Sequence, residues 1–287
     1  MRSTTIFRVA ILGANAIFAL STDQPKNGLT IRSRRSVPGP RLEMLAGNGP
    51  EGVSADPVYY NKNWAGAVHT SAGYQSMEGG GYKSVTGAIT IPPIRLPPGG
   101  DPDVLYAVSA WVGIDGELAC PRAILQAGVD MYMNKGVAQY WAWYEWYPSL
   151  TTYLPGTFEI ASDDVITLSV TAPTPTSALV SIINNTTGQA WTATLADQAP
   201  ALCGANAEWI VEDFWDSDGA PLVDFGRIRF DQAAYTTASG GTGGVEDAKM
   251  DGVKYGLNGP VVIGCEKTGE GDGVECVYGG WEGLGDP

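Results

Sequence analysis

AILQAGVD, residues 123–130, repeats with a period of two: Ile124, Gln126, Gly128 and Asp130 fall on one face of an extended chain, and Leu125 and Val129 on the other. Three more stretches share the pattern. In AWVGIDG, residues 110–116, Trp111, Gly113 and Asp115 oppose Val112 and Ile114. WAWYEWYP, residues 141–148, sets Trp141, Trp143, Glu145 and Tyr147 together, and AEWIVEDF, residues 207–214, does the same for Glu208, Ile210, Glu212 and Phe214. Four strands therefore carry amides, carboxylates or large aromatics on one side and mostly apolar residues on the other. The composition agrees, with 38 glycines, 13 tyrosines and nine tryptophans, residue types that suit turns and half-buried pleated surfaces. No long stretch has the 3.6-residue apolar period of a helix. The reading is an all-β, antiparallel β-sandwich of two packed sheets, and 287 residues is a length such sandwiches reach as one domain.

The ordinary use of a mixed face is contact with solvent, which favours Thr, Lys and Ser. Here the face presents Trp111, Trp143 and Tyr147 beside Asp115, Glu145 and Glu212. That combination reads as a concave site gripping an extended polymer, peptide or glycan.

Charge divides the chain. Residues 1–50 hold seven bases and two acids, leaving ten bases and 29 acids in the remainder, a formal charge of −19. Such a body repels nucleic acid and anionic membranes, and its surplus carboxylates lack basic partners, which suits work in acid. Residues 1–20 read as a secretory signal, Arg2 and Arg8 preceding the apolar run Val9–Leu20, which is too short to span a membrane. Residues 21–57, rich in Pro, Gly, Ser and Arg and including Arg32, Arg34 and Arg35, read as a basic pro-segment or linker, and 58–287 as the sandwich domain.

Cys120, Cys203, Cys265 and Cys276 form an even set without a CxxC spacing, favouring two disulfides over a metal site in a secreted chain. Cys265 and Cys276 bracket a Gly-rich turn and pair locally, which leaves Cys120 for Cys203.

AWVGIDG, ILQ-G-D, AWYEWYP, LC--NAEWIVEDF and NWAG at Asn63–Gly66, in this order, resemble the motifs of the glutamic peptidase (eqolisin) family from about Asn63 to about Phe230. The resemblance implies a jelly-roll-like sandwich of two seven-stranded antiparallel sheets, an acidic pH optimum, indifference to pepstatin and a Gln/Glu dyad. By motif the dyad is Gln126 and Glu212. Asn63, Trp64, Trp111, Asp115, Asp130, Trp143, Glu145, Tyr147 and Glu208 match positions that line or support the cleft, and the family bridges the cysteines matching Cys120 and Cys203. The chain departs from the pattern at Trp141, where an Asp is expected, in the loop Met131–Tyr140, in Trp215–Gly219 and Ser239–Gly244, and in one absent disulfide.

The chemistry follows from residue types. Amide hydrolysis needs an activated water and a donor to the oxyanion that develops on the scissile carbonyl. A glutamate near its ordinary pKa of about 4.3 serves as base in acid and returns the proton to the leaving amine; a glutamine never titrates and still donates. The substrates are then proteins or peptides, the default state a monomer, and no metal or organic cofactor is implied. His69, the one histidine, lacks triad or zinc-motif neighbours and reads as an exposed polar residue. Two rivals remain, a jelly-roll glycoside hydrolase built on Glu208 and Glu212, and a non-catalytic glycan-binding sandwich. The first gives Gln126 no role. Asn184 and Asn185, each followed at the required offset by Thr, are candidate glycosylation acceptors.

Overall fold

The computed structural model describes residues 25–26, 29–30, 58–71, 77–117, 119–213, 220–256, 259–269 and 271–279. The signal-like segment 1–20 lies outside these residues. So does the basic segment 21–57, apart from two short strands, β1 (Pro25–Lys26) and β2 (Leu29–Thr30), which pair with each other. The remaining strands are β3 (Val58–Asn61), β4 (Trp64–Thr70), β5 (Tyr82–Thr90), β6 (Tyr106–Ile114), β7 (Ile124–Asn134), β8 (Val137–Tyr147) and β9 (Thr152–Tyr153). They continue with β10 (Val165–Thr174), β11 (Ser177–Asn184), β12 (Gln189–Leu195), β13 (Asn206–Glu212), β14 (Arg227–Thr237), β15 (Thr242–Gly243), β16 (Lys249–Lys254), β17 (Val261–Thr268) and β18 (Gly273–Tyr278). The single helical turn among the described residues is a 3-10 turn, Met77–Gly79, and no helix there is long and apolar enough to cross a membrane.

The class is the all-β, antiparallel one expected, with a topological difference. The strands join one hydrogen-bonded sheet in the order β12-β11-β10-β5-β14-β18-β17-β16-β4-β13-β6-β7-β8-β9, a continuous ladder where two separate sheets were anticipated. That sheet doubles back, laying β5, β10 and β11 against β6, β7 and β13. The close approach is visible at Gly87, where a Cβ would stand 3.1 Å from the Trp209 ring and 3.5 Å from Val112. The Trp209 indole donates to the Thr86 carbonyl at 2.8 Å, so it packs as an apolar body without stranding its N–H. Val85, Ile89, Leu168 and Val170 from one half and Val112, Leu125, Val129 and Val211 from the other are all fully buried in this core, each such side chain contributing about 1.5–3 kcal/mol.

Local chemistry fixes the two long hairpin strands that carry the site. Asn134 pairs with Val137 across a two-residue turn in which Lys135 and Gly136 both take positive φ, 50° and 74°, the twist that matches flanking strands. Met131–Tyr140, read as a divergent loop, is therefore the tip of the β7–β8 hairpin. Both disulfides form as expected: Cys120 with Cys203, and Cys265 with Cys276, directly opposite each other on β17 and β18.

Two readings are corrected. His69 is 8% exposed, not solvated: it packs edge-on to Tyr235 at 5.0 Å and its Nε2 lies 2.8 Å from the Gly244 carbonyl. Asn184 is buried, with its amide nitrogen 2.8 Å from Asp164 and its carbonyl accepting the backbone N–H groups of Thr186 and Thr187. Of the two glycosylation candidates only Asn185 is exposed.

Candidate active site

Strand register assembles the face that alternation anticipated. Glu212 on β13 lies opposite Ser109 on β6, which lies opposite Asp130 on β7, itself opposite Trp141 on β8. Two residues along, the row is Ile210, Trp111, Gly128 and Trp143; two further, it is Glu208, Gly113, Gln126 and Glu145. Residues directly opposite share a face. All twelve positions are therefore on one side of four adjacent strands, with the apolar core on the other.

Two glycines open the floor of this face. A Cβ at Gly128 would stand 2.6 Å from both the Ala110 carbonyl and the Trp111 Cβ and 2.8 Å from the Trp143 ring; at Gly113 it would stand 2.8 Å from the Trp111 ring. Both indoles thus lie over side-chain-free backbone. Trp111 has one ring edge at Gly113 while its Nε1 donates to Glu212 Oε2 at 2.9 Å, so the ring runs along β6 from the glutamine row to the glutamate row. Trp64 meets it edge to face at 4.9 Å. Asn61, two residues before the NWAG segment, holds Trp64 there: its side chain accepts the N–H groups of Asn63 and Trp64 and donates to the Trp64 carbonyl. Asn63 contributes its backbone, its carbonyl accepting the Asp213 N–H at 2.8 Å.

The acids divide by partner. Asp130 accepts hydroxyls from Ser109 at 2.7 Å, Tyr153 at 2.5 Å and Tyr132 at 3.2 Å. Glu145 accepts from Thr151 at 2.5 Å. Asp115 accepts four backbone N–H groups, from Cys203, Gly204, Ala205 and Asn206, and so anchors the loop that leads into β13. Its burial raises the carboxyl, and those four donors pull it back only in part. Tyr147 is half-buried at the edge of the Trp64, Trp111 and Trp143 cluster, while Trp141 packs with Tyr132 and Tyr153 in a smaller cluster.

Gln126 and Glu212 are 0% and 1% exposed. Their backbone positions lie diagonally across Trp111, two strands apart and four residues out of register, roughly 10 Å by 13 Å between Cα atoms on an untwisted sheet, which leaves room between the two side chains for a scissile carbonyl and a water. Among the described residues, neither the oxygen nor the nitrogen of the Gln126 amide has a hydrogen-bond partner. Buried side-chain amides are almost always bonded, so this one is held ready for something else.

Two residues join the face without having been singled out, with Glu117 bonded beside them. Lys249 and Asp251 on β16 stand opposite Val68 and Gly66 on β4, extending the rows of Glu208 and Ile210. Lys249 bonds to Glu117 and lies 3.2 Å from Asp251, an ion pair without hydrogen-bond alignment. Burial drives Asp251 up to about 7, against the pull of Lys249. It also raises Glu208 well above the ordinary range, reinforced by Glu117 and Asp115. For Lys249 burial acts downward, and the two carboxylates outweigh it to leave the amine raised. The K-x-D spacing of Lys249 and Asp251 was the available sequence signal; only the β16–β4 pairing attaches it to the site. Among the described residues the close group of metal-ligand types is Asp115 with Cys120 and Cys203, whose sulfurs are spent on their disulfide.

Residues 62–278 match the peptidase A4 family. Aspergillopepsin-2 of Aspergillus niger is 34% identical over 97% of this chain and its own full length, and scytalidopepsin B of Scytalidium lignicola is 32% identical over 79% of this chain and 81% of its own. The solved structure of scytalido-glutamic peptidase with a transition state analog inhibitor is similar with a TM-score of 0.63 at 32% identity, covering 76% of this chain and 98% of that one.

Proposed function

Because the chain belongs to the peptidase A4 family and is thus a glutamic endopeptidase, we propose that Gln126 and Glu212 are its catalytic dyad. The observation carrying this assignment is the register that sets the unpartnered Gln126 amide and the Trp111-bound Glu212 on one face. The Trp111 N–H holds Glu212 Oε2 in place, and as a carboxylate Glu212 accepts a proton from water. The water oxygen bonds to the scissile carbonyl carbon, the carbonyl π electrons move to oxygen, and the Gln126 NH2 donates to that oxyanion. Glu212 then passes its proton to the amide nitrogen as the C–N bond breaks, restoring the carboxylate and leaving a free acid and amine. Asp130, Glu145 and Asp115 hold the frame: the first two through hydroxyl bonds beside Trp141 and Gln126, the third through the loop before β13. A glycosidase or glycan-binding reading leaves Gln126 without a role.

The opposite charges of the basic N-terminal part and the acidic remainder support reading residues 21–57 as a pro-segment held on the domain by charge, loosened as carboxylates protonate and lost on processing. The signal-like residues 1–20 and two disulfides support secretion. Its substrates are proteins or peptides. The test is hydrolysis of a denatured protein from pH 2 to 7 by the processed chain, with and without pepstatin. Cleavage peaking in acid and indifferent to pepstatin is expected, because the site is not an aspartate pair; inhibition by pepstatin would refute the dyad.

A further inference from the structure

Glu208 is the buried titratable group that this mechanism does not use. It is fully buried, and both carboxyl oxygens lack a hydrogen-bond partner among the described residues. It lies on the site face of β13, opposite Gly113, whose other neighbour across the sheet is Gln126. Two unpartnered polar side chains therefore flank one residue that has no side chain of its own. An unsatisfied buried polar group costs free energy and is rare in native structures; two of them side by side on a peptidase's site face point to a ligand bearing donors and acceptors.

The spacing fits a peptide backbone. Glu208 and Gln126 are two strands apart, about 10 Å, and one peptide unit with a hydrogen bond on each side spans ~8 Å, a gap that side chains leaning over Gly113 close. The charged groups facing Glu208 set its ionisation. From the segment after β6 come Glu117 and Asp115, and from β16 Asp251 and Lys249; its neighbour on β4 is Val68 and across β6 it meets Gln126, neither of which titrates. Among the described residues the one lysine facing Glu208 stands among three further carboxyls and is itself bonded to Glu117 and paired with Asp251, so it does little to neutralise an ionised Glu208. Its carboxyl accordingly keeps its proton well above the ordinary range, burial being the main cause.

We propose that Glu208 binds substrate, donating its carboxyl O–H to a backbone carbonyl of the bound peptide beside Gln126. This rests on the endopeptidase reading and adds to it a contact independent of substrate side chains. The bond exists only while Glu208 is protonated. Its loss of the proton removes a donor and sets a negative charge against a carbonyl oxygen, so Glu208 contributes to the alkaline limb of activity.

The experiment measures kcat and KM for an internally quenched peptide from pH 3 to 7 with processed wild type, Glu208→Gln and Glu208→Leu, each with its thermal midpoint at pH 4. Glu208→Gln, which mimics the protonated acid in shape and donor, is expected within about threefold of wild type at pH 3.5, with its alkaline limb moved to higher pH. Glu208→Leu is expected to raise KM about tenfold, the effect of one hydrogen bond. Where Glu208→Leu does not fold, the Glu208→Gln profile decides alone. An unmoved alkaline limb in Glu208→Gln, or a wild-type KM in Glu208→Leu, overturns the proposal while leaving the endopeptidase reading intact. A processed wild type that cleaves nothing in this range overturns both.

Discussion

The two faces of β6, β7 and β13 are built from alternate residues of the same strands and obey opposite rules. On the core face Ala110, Val112, Leu125, Val129 and Val211 are buried against the other half of the sheet, and none carries a side-chain polar atom. One residue along each strand, the site face buries Trp111, Gln126, Glu208 and Glu212 just as deeply and leaves amide and carboxyl atoms of Gln126 and Glu208 without partners among the described residues. Burial alone does not separate structure from function in this fold; the satisfaction of buried polar atoms does. The core face supplies the stability that lets the site face keep polar groups free for another molecule.

Substitutions that touch one face and spare the other should break this division if it is wrong. The largest effect is expected at Gly128, where an added Cβ meets the Ala110 carbonyl and Trp111 Cβ at 2.6 Å. Backbone cannot yield there, so Gly128→Ala displaces Trp111 and with it Glu212. A shift near 1 Å costs about 100-fold in catalysis, read as kcat/KM at pH 4. On the opposite face Leu125→Ala should cost about 2–5 kcal/mol of stability in denaturant unfolding, with kcat/KM of the still-folded protein within a few-fold of wild type. If instead Leu125→Ala silences the enzyme while remaining folded, the faces are not separable.

The smallest effects sharpen the contrast through pH, and their signs differ. Asp251, on the site face, is raised to about 7, so the folded state binds its proton more tightly than the unfolded chain. Its stabilising contribution is complete below the unfolded value near 4 and is lost as pH rises through about 7. His69, packed against Tyr82 and Tyr235 away from the site, is lowered by burial despite the Gly244 carbonyl. Its contribution is complete above its unfolded value and is lost as pH falls through the lowered one. Thermal midpoints should therefore rise near pH 7.5 in Asp251→Asn with little change at pH 4, and rise near pH 3 in His69→Phe with little change at pH 7.5. Reversed signs would contradict the assignment of these groups.

Much of the site was legible because its logic is local. The period of two within single strands placed Gln126 with Asp130, Trp143 with Glu145, and Glu208 with Glu212, and the sheet register aligned these sets without rearrangement. The disulfides followed from turn chemistry and parity. What escaped depends on strands distant in sequence. Lys249 and Asp251 reach the site because β16 pairs with β4, some 180 residues away in the chain. His69 is buried because Tyr82 and Tyr235 close over it from β5 and β14. Asp115, matched by motif to a position that lines or supports the cleft, does so through four consecutive backbone N–H groups, an arrangement set by loop conformation that alternation does not encode. The continuity of the sheet through β16, β17 and β18 likewise depends on pairings that no local pattern specifies.

The most direct test of the dyad measures kcat/KM on one peptide at pH 4 for processed wild type, Glu212→Gln and Gln126→Ala, each with its thermal midpoint. Loss of about 100-fold or more in both, with midpoints at or above wild type because Gln126→Ala deletes an unsatisfied buried amide, is the predicted result. A folded Glu212→Gln or Gln126→Ala variant that keeps more than about a tenth of wild-type kcat/KM, far short of the loss an essential group imposes, would contradict it.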